Sequence, residues 1–239
     1  MNKITTMIMA MAMLVATALA NGLYIVGGDI SSTKVWYLNG TTQKFDISGV
    51  LAQTSILDVT NSTRVRIGTS VTTLSQKAFN NCLQLKKVVL PESVTSIGQY
   101  VFDGCTELDT INIPNGVTTI SHYSFRSCRG ISNLVLGASV ATIGNYAFRG
   151  CSGLASVKFP NGFTSIGQYA FRECGSLTAI TLPESVTSIG GSAFSLCPLL
   201  KDFTFIGKDI ATVQGMANRP WGLSTGCVIH CTDGDITIQ

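Results

Sequence analysis

The sequence predicts an α/β solenoid, in which short parallel strands and short helical turns are wound into stacked coils of 23 residues. Three observations carry that prediction. Cys82, Cys105, Cys128, Cys151, Cys174 and Cys197 are each 23 residues apart. Phe79, Phe102, Phe125, Phe148, Phe171 and Phe194 keep the same step. Six copies of one pattern, starting at Val71, Val94, Val117, Val140, Phe163 and Val186, follow one another without insertion or deletion. A fixed period between about 20 and 50 residues marks a repeat array, whose units bury their apolar faces on each other.

One coil cannot stand alone. In the second copy the apolar residues are Val94, Ile97, Val101, Phe102, Cys105, Leu108, Ile111 and Ile113. Burying a large one contributes roughly 1.5–3 kcal/mol, while ordering the backbone costs about 1–2 kcal/mol per residue. Stacking offsets that cost, because each coil shares side-chain columns and backbone hydrogen bonds with two neighbours.

Within a coil, Leu-x-x-Val/Ile-x-Leu/Ile-Pro reads as the main strand, as in Leu85–Pro91 and Leu108–Pro114. Alternation turns Val88 and Leu90 inward and Lys87 and Val89 outward, and proline ends the strand because it has no N–H for the ladder. A second brief strand is expected at Val94-Thr-Ser-Ile97. Gly98, Gly144, Gly167 and Gly190 then allow a sharp bend. The run Tyr-Ala-Phe-x-x-Cys reads as one helical turn.

Taken along the chain, the organisation is as follows. Met1–Ala20 has one basic residue, Lys3, then an uncharged stretch ending Ala18-Leu19-Ala20, and it holds five of the six methionines; this is the anatomy of a secretory signal peptide. Residues 21–54 carry no repeat, and Lys34–Ile47 reads as a hairpin around Asn39-Gly40 that covers the first coil. Residues 55–208 hold one degenerate coil and the six regular ones; in the degenerate coil Ile56 and Val59 take the phenylalanine and cysteine columns, and Val65 and Ile67 the strand columns. Residues 209–239 form a second cap, with a hairpin around Asp233-Gly234. Trp36 and Trp221, the only tryptophans, fall one in each cap, where large aromatics suit the sealing of a core end.

The repeat resembles the BspA-like leucine-rich repeat family, whose pattern Val-Thr-x-Ile-Gly-x-x-Ala-Phe-x-x-Cys-x-x-Leu-x-x-Ile-x-Leu-Pro is met almost letter for letter by Val94–Pro114 and Val186–Cys197. The resemblance spans about Ser55 to Ile206. It implies a right-handed leucine-rich-repeat coil, a place on a microbial cell surface, and adhesion to a protein or glycan partner.

Composition and motifs narrow the function. At 45% apolar, 12% charged and net +3, the chain lacks the concentrated basic stripe of a nucleic-acid binder, and its uncharged N-terminal stretch is too short for a stable membrane span. His122 and His230 are the only histidines. No Ser-His-Asp set, carboxylate pair or phosphate-binding glycine loop accompanies them, so the chain reads as a non-enzyme without cofactor. The cysteine ladder reads as buried thiols, because free cysteine behaves as a small hydrophobe. Cys227, His230 and Cys231 lie together outside the ladder, but zinc takes four ligands and no fourth is near in sequence. Strand alternation puts His230 on the face opposite both cysteines, which are then either two thiols or a disulfide.

Two surfaces remain as candidates for a partner. One is the outward parity of the main strands: Arg64, Arg66, Lys87, Val89, Thr110, Asn112, Asn133, Val135, Ser156, Lys158 and Thr181, with Ala179, Asp202 and Thr204 continuing it. The other is a ridge in which Tyr100, Tyr123, Tyr146 and Tyr169 recur with Arg126, Arg149 and Arg172; tyrosine and arginine are favoured at interfaces and can pair through cation–π contact. The reading is therefore an extracellular binding or adhesion protein, secreted or held at the cell surface. The alternative is a structural subunit of a surface layer, fibre or virion appendage that displays the array.

Overall fold

Each coil contributes two strands, one to each side of the stack. The computed structural model describes residues 62–69 and 71–239 and, ahead of them, the backbone of β1 (Lys34–Tyr37), β2 (Thr42–Lys44) and β3 (Gly49–Leu51). The main side holds β4 (Ser62–Arg66), β6 (Lys87–Val89), β8 (Thr110–Ile111), β10 (Asn133–Val135), β12 (Ser156–Lys158), β14 (Ala179–Leu182) and β16 (Asp202–Phe205). The second side holds β5 (Val71–Leu74), β7 (Ser96–Ile97), β9 (Thr119–Ile120), β11 (Thr142–Ile143), β13 (Ser165–Ile166) and β15 (Ser188–Ile189). After the last coil come α1 (Ile210–Gly215), β17 (Val228–Cys231) and β18 (Gly234–Thr237). The result is a parallel β-solenoid of about seven turns. The signal segment, the Asn39-Gly40 turn, Ile56, Val59 and the Trp36 side chain lie outside the described residues.

Like side chains meet like down the interior. The phenylalanine rings stack at 5.2–5.4 Å, from Phe79 on Phe102 to Phe171 on Phe194. The six ladder cysteines are buried, as are Val65 and Ile67 of the degenerate coil and Val88 and Leu90 of the first strand. From Cys105 onward each thiol donates to the carbonyl of a phenylalanine in the coil before, for example Cys105 to Phe79 at 3.0 Å and Cys128 to Phe102 at 3.0 Å. Burial pushes the Cys151 thiol up to about 12 and holds Cys128 and Cys174 well above the ordinary range.

The helical turn expected at Tyr-Ala-Phe-x-x-Cys is not formed, and the α/β class is corrected with it. Among the described residues the one α-helix is α1, in the C-terminal cap. In the repeat, alternate amides leave the coil: Tyr100, Phe102 and Gly104 donate to His122, Ser124 and Arg126 of the next. The amides between them close tight turns, as Asp103 does on Tyr100 and Cys105 on Phe102. A helix would turn every N–H back along its own coil and forfeit these rungs. The ribbon requires left-handed residues instead, with φ of 58° at Tyr100, 59° at Tyr123 and 59° at Tyr146. Such a conformation costs roughly 1–2 kcal/mol for a side-chain-bearing residue, offset here by the inter-coil bond and the ring stack.

The bend glycines are needed for a different reason than a bend. A Cβ at Gly167 would stand 2.6 Å from the amide nitrogen of Asn145, and one at Gly190 2.3 Å from that of Gln168. A Cβ at these two glycines would need the neighbouring backbone to shift, whereas Ser121, in the same column, is accommodated and donates its hydroxyl to the Ile97 carbonyl at 2.6 Å.

Both ends are closed by antiparallel pairing. β1 pairs with β2 and lies along β4. At the other end β17 joins β16 in parallel and turns back into β18. Cys231 pairs with Gly234, so the turn is centred on Thr232-Asp233, one residue earlier than Asp-Gly suggests. Asp233 is engaged elsewhere, accepting the amide of Ile210 at the start of α1 at 2.8 Å. Trp221 is fully buried against Phe203 and Phe205, and its carbonyl takes the Phe194 amide at 2.9 Å. The short helix went unpredicted, although Asp209 caps it by accepting from the Thr212 amide at 2.7 Å.

Candidate binding surfaces

The outward row of the main strands is exposed along the stack. Arg64, Arg66, Val89, Thr110, Asn112, Asn133, Val135, Ser156, Lys158, Ala179, Thr181 and Asp202 are exposed, and Lys87 and Thr204 half-buried. Parallel pairing brings Arg64 beside Lys87, Lys87 beside Thr110, Asn133 beside Ser156 and Val135 beside Lys158. Lys87 and Lys158 make no ion pair among the described residues. Asn112 departs from the row in role: its side chain clips to the backbone of Leu90, donating to the carbonyl at 3.0 Å and accepting from the amide at 3.3 Å.

The tyrosine ridge is a stack of half-buried rings, with centroids 4.6, 4.8 and 5.0 Å apart from Tyr100 to Tyr169. Arg126 lies over Tyr100 and Tyr123 at 6.0 and 5.3 Å, and Arg172 over Tyr169 at 5.5 Å. The arginines are already engaged. Arg126 makes a two-pronged bond to Asp103, both contacts 2.8 Å, and this pairing raises its pKa. Arg149 and Arg172 share Glu173, each at 3.1 Å. Sequence reading saw the Tyr–Arg period but not the acidic partners, which recur in only some coils.

The cluster near the C-terminus separates as strand alternation requires. Cys227 is buried and Cys231 half-buried against the core, while His230 faces outward between Asp235 at 2.9 Å and Asp202 at 3.5 Å. Four extended residues span about 13 Å, beyond the roughly 7 Å limit for bridged Cα atoms, so this geometry excludes a Cys227–Cys231 disulfide. Hydrogen bonding to Asp235, then to Asp202, raises the His230 pKa. His122 accepts the Asn145 amide on Nδ1 at 2.8 Å.

A third surface was missed. A groove of about 770 Å³ runs over the second side. One wall carries Thr119, Thr142, Ser165 and Ser188, and the other His122, Asn145 and Gln168. The signal was present in the Thr-Thr and Thr-Ser pairs that precede four of the five isoleucines, Ile143 following Ala141-Thr142 instead. Strand alternation assigns only one of two successive residues to the outside, yet Thr95 and Ser96 are both exposed, because these strands are only two residues long.

Comparison with known proteins gives a consistent answer. A family model described as BspA type leucine-rich repeat region matches in six copies, over residues 53–141 and 118–217. A leucine-rich repeat protein of T. pallidum superposes with a TM-score of 0.58 at 35% identity, covering 59% of this chain and 68% of that one. A leucine-rich cell surface protein of Faecalibacterium prausnitzii aligns with a TM-score of 0.56 at 27% identity over 76% of this chain; the match spans 54% of that protein, about half its length. A leucine-rich repeat protein of Eubacterium ventriosum shares the fold at 21% identity, with a TM-score of 0.50, covering 85% of this chain and 54% of that one. No curated protein sequence matches the chain.

Proposed function

Because the chain belongs to the BspA-type leucine-rich repeat family, we propose that it is a non-enzymatic binding protein that works outside the cell, presenting the main-strand face to a protein partner. The observation that carries this reading is the exposed outward row, which runs from Arg64 to Asp202 over a closed core. Its neighbours in parallel register form a surface that a partner can meet over many coils, and Lys87 and Lys158 keep their charges unpaired among the described residues. The ridge offers less, since its arginines are committed to Asp103 and Glu173. The bacterial cell-surface protein among the structural matches supports an extracellular setting.

The test is capture of the full chain on a panel of immobilised extracellular-matrix proteins. Arg66→Glu with Lys87→Glu is expected to weaken capture at least tenfold, more at low salt, because exposed charges act over about a Debye length. Capture that survives this pair and is lost on Tyr146→Ala moves the site to the ridge.

A further inference from the structure

We propose that the groove on the second side is a separate binding site for an uncharged, extended glycan, taken up with about one sugar ring per coil. No aspartate, glutamate, lysine or arginine lines it. A nucleic acid or an acidic polysaccharide draws its affinity from cations placed against its anionic groups, and this groove supplies none. What it supplies is hydroxyl, carboxamide and imidazole groups, most of which donate and accept at once, the pattern that sugar hydroxyls require.

The spacing decides between a glycan and a peptide. Stacked side chains in neighbouring coils lie 4.6–5.4 Å apart. An extended peptide laid along the stack repeats its side chains on one face every two residues, about 6.6 Å, and drifts out of register with each coil. A β-linked hexopyranose chain advances by about one coil step per ring and stays in register across the four coils. The polar groups are also available. The Gln168 carboxamide and the Ser165 and Ser188 hydroxyls make no hydrogen bond within the described residues, whereas Asn145 is occupied with the Gln168 amide at 2.9 Å. Gly144, Gly167 and Gly190 leave three of the four coils without a side chain in this column, with Ser121 in the first coil turned onto the Ile97 carbonyl, so a ring can settle against the backbone. Asn218 stands at the C-terminal end of the groove, where its side chain donates to the Ile189 carbonyl at 3.4 Å.

The experiment is calorimetric titration of the full chain with cellohexaose and chitohexaose, with shorter members of each series, glucose and heparin as comparators. Binding of at least one hexasaccharide is expected, strengthening with length up to about four rings and then levelling. Gln168→Ala combined with Ser188→Ala removes two unengaged side chains and is expected to weaken it about tenfold, the loss of two ordinary hydrogen bonds, with an unchanged melting temperature. Lys158→Glu, on the main-strand face, is expected to leave it unchanged. The proposal is overturned if neither hexasaccharide binds, if glucose binds as well as the hexamers, if heparin is preferred, or if the double variant binds like the parent. None of these outcomes depends on whether the main-strand face captures a matrix protein.

Discussion

The side of the coil made mostly of two-residue strands forms an unbroken seven-stranded sheet from β3 to β15, whereas the side with mostly longer strands is interrupted between β8 and β10 and again between β12 and β14. Strand length therefore does not decide continuity. The residues beneath the two sides differ as well, and a change of volume there coincides with the second interruption, although Leu182 and Phe205 pair without a break. Under the second side the inward column reads Leu74, Ile97, Ile120, Ile143, Ile166 and Ile189, side chains of closely similar volume. Under the main side it reads Leu90, Ile113, Leu136, Phe159, Leu182 and Phe205. Phe159 brings a large ring beside Phe163, which replaces valine, with centroids 4.8 Å apart. Val157 is left half-buried where Val88 and Leu134 are buried. The series of rungs made by the amides of Lys86, Asp109, Ala155 and Lys201 has no member at Ser132 or Thr178, the two interruptions. Close packing transmits such a change in volume to the backbone.

The largest test of this contrast compares two glycines. Gly190→Ala puts a Cβ 2.3 Å from the Gln168 backbone nitrogen and is expected to cost about 3 kcal/mol, as overpacking against an immobile neighbour does. Gly162→Ala meets nothing within 4 Å and is expected to change stability by less than about 0.5 kcal/mol. Denaturant midpoints compare the two; equal costs would remove the distinction between the sides.

Next is the alkaline response of the core between the sheets. The Cys151 pKa is raised to about 12, whereas an unfolded cysteine ionises near about 8.5. The unfolded chain thus loses its proton first. The contribution is complete below about pH 8.5 and falls as pH rises toward 12, by about 1.4 kcal/mol per unit for one such thiol. Denaturant midpoints between pH 8 and 11 should drop steeply, and Cys151→Ala should make the slope shallower.

A smaller effect sharpens the account of the second interruption. Phe159→Leu restores the volume used in neighbouring coils, and is expected to slow hydrogen exchange at the Thr178 amide while changing stability by less than about 1.5 kcal/mol. Unchanged exchange would separate the interruption from the ring. The smallest effect lies at the end of the main side. The His230 pKa is raised, so its stabilising charge is present below about pH 6.5 and lost as pH rises through the folded value. Asp235→Asn should lower the His230 titration midpoint seen by NMR, with little change in stability because the pair is exposed.

Much of the site chemistry was legible in the sequence at the level of parity and not of partnership. Alternation correctly placed Lys87 and Val89 outside and Val88 inside, because one strand suffices to define a parity. That Asn112 would clip to Leu90, or Arg126 to Asp103, depends on a residue one coil away, at a distance no local pattern encodes. The groove escaped notice for the same reason: its walls come from two columns separated along the chain by an isoleucine and a glycine or serine, and only the stack makes them continuous walls.

The period of 23 by itself determined the stacking of coils, the buried columns of phenylalanine and cysteine, and which face of each main strand meets solvent, since identical units can bury their apolar groups only on copies of themselves. Tertiary structure alone decided the path of the backbone between the strands. A six-residue run that satisfies its amides as a helical turn when considered singly satisfies them better by donating to the coil above, and that choice exists only once there is a coil above to accept.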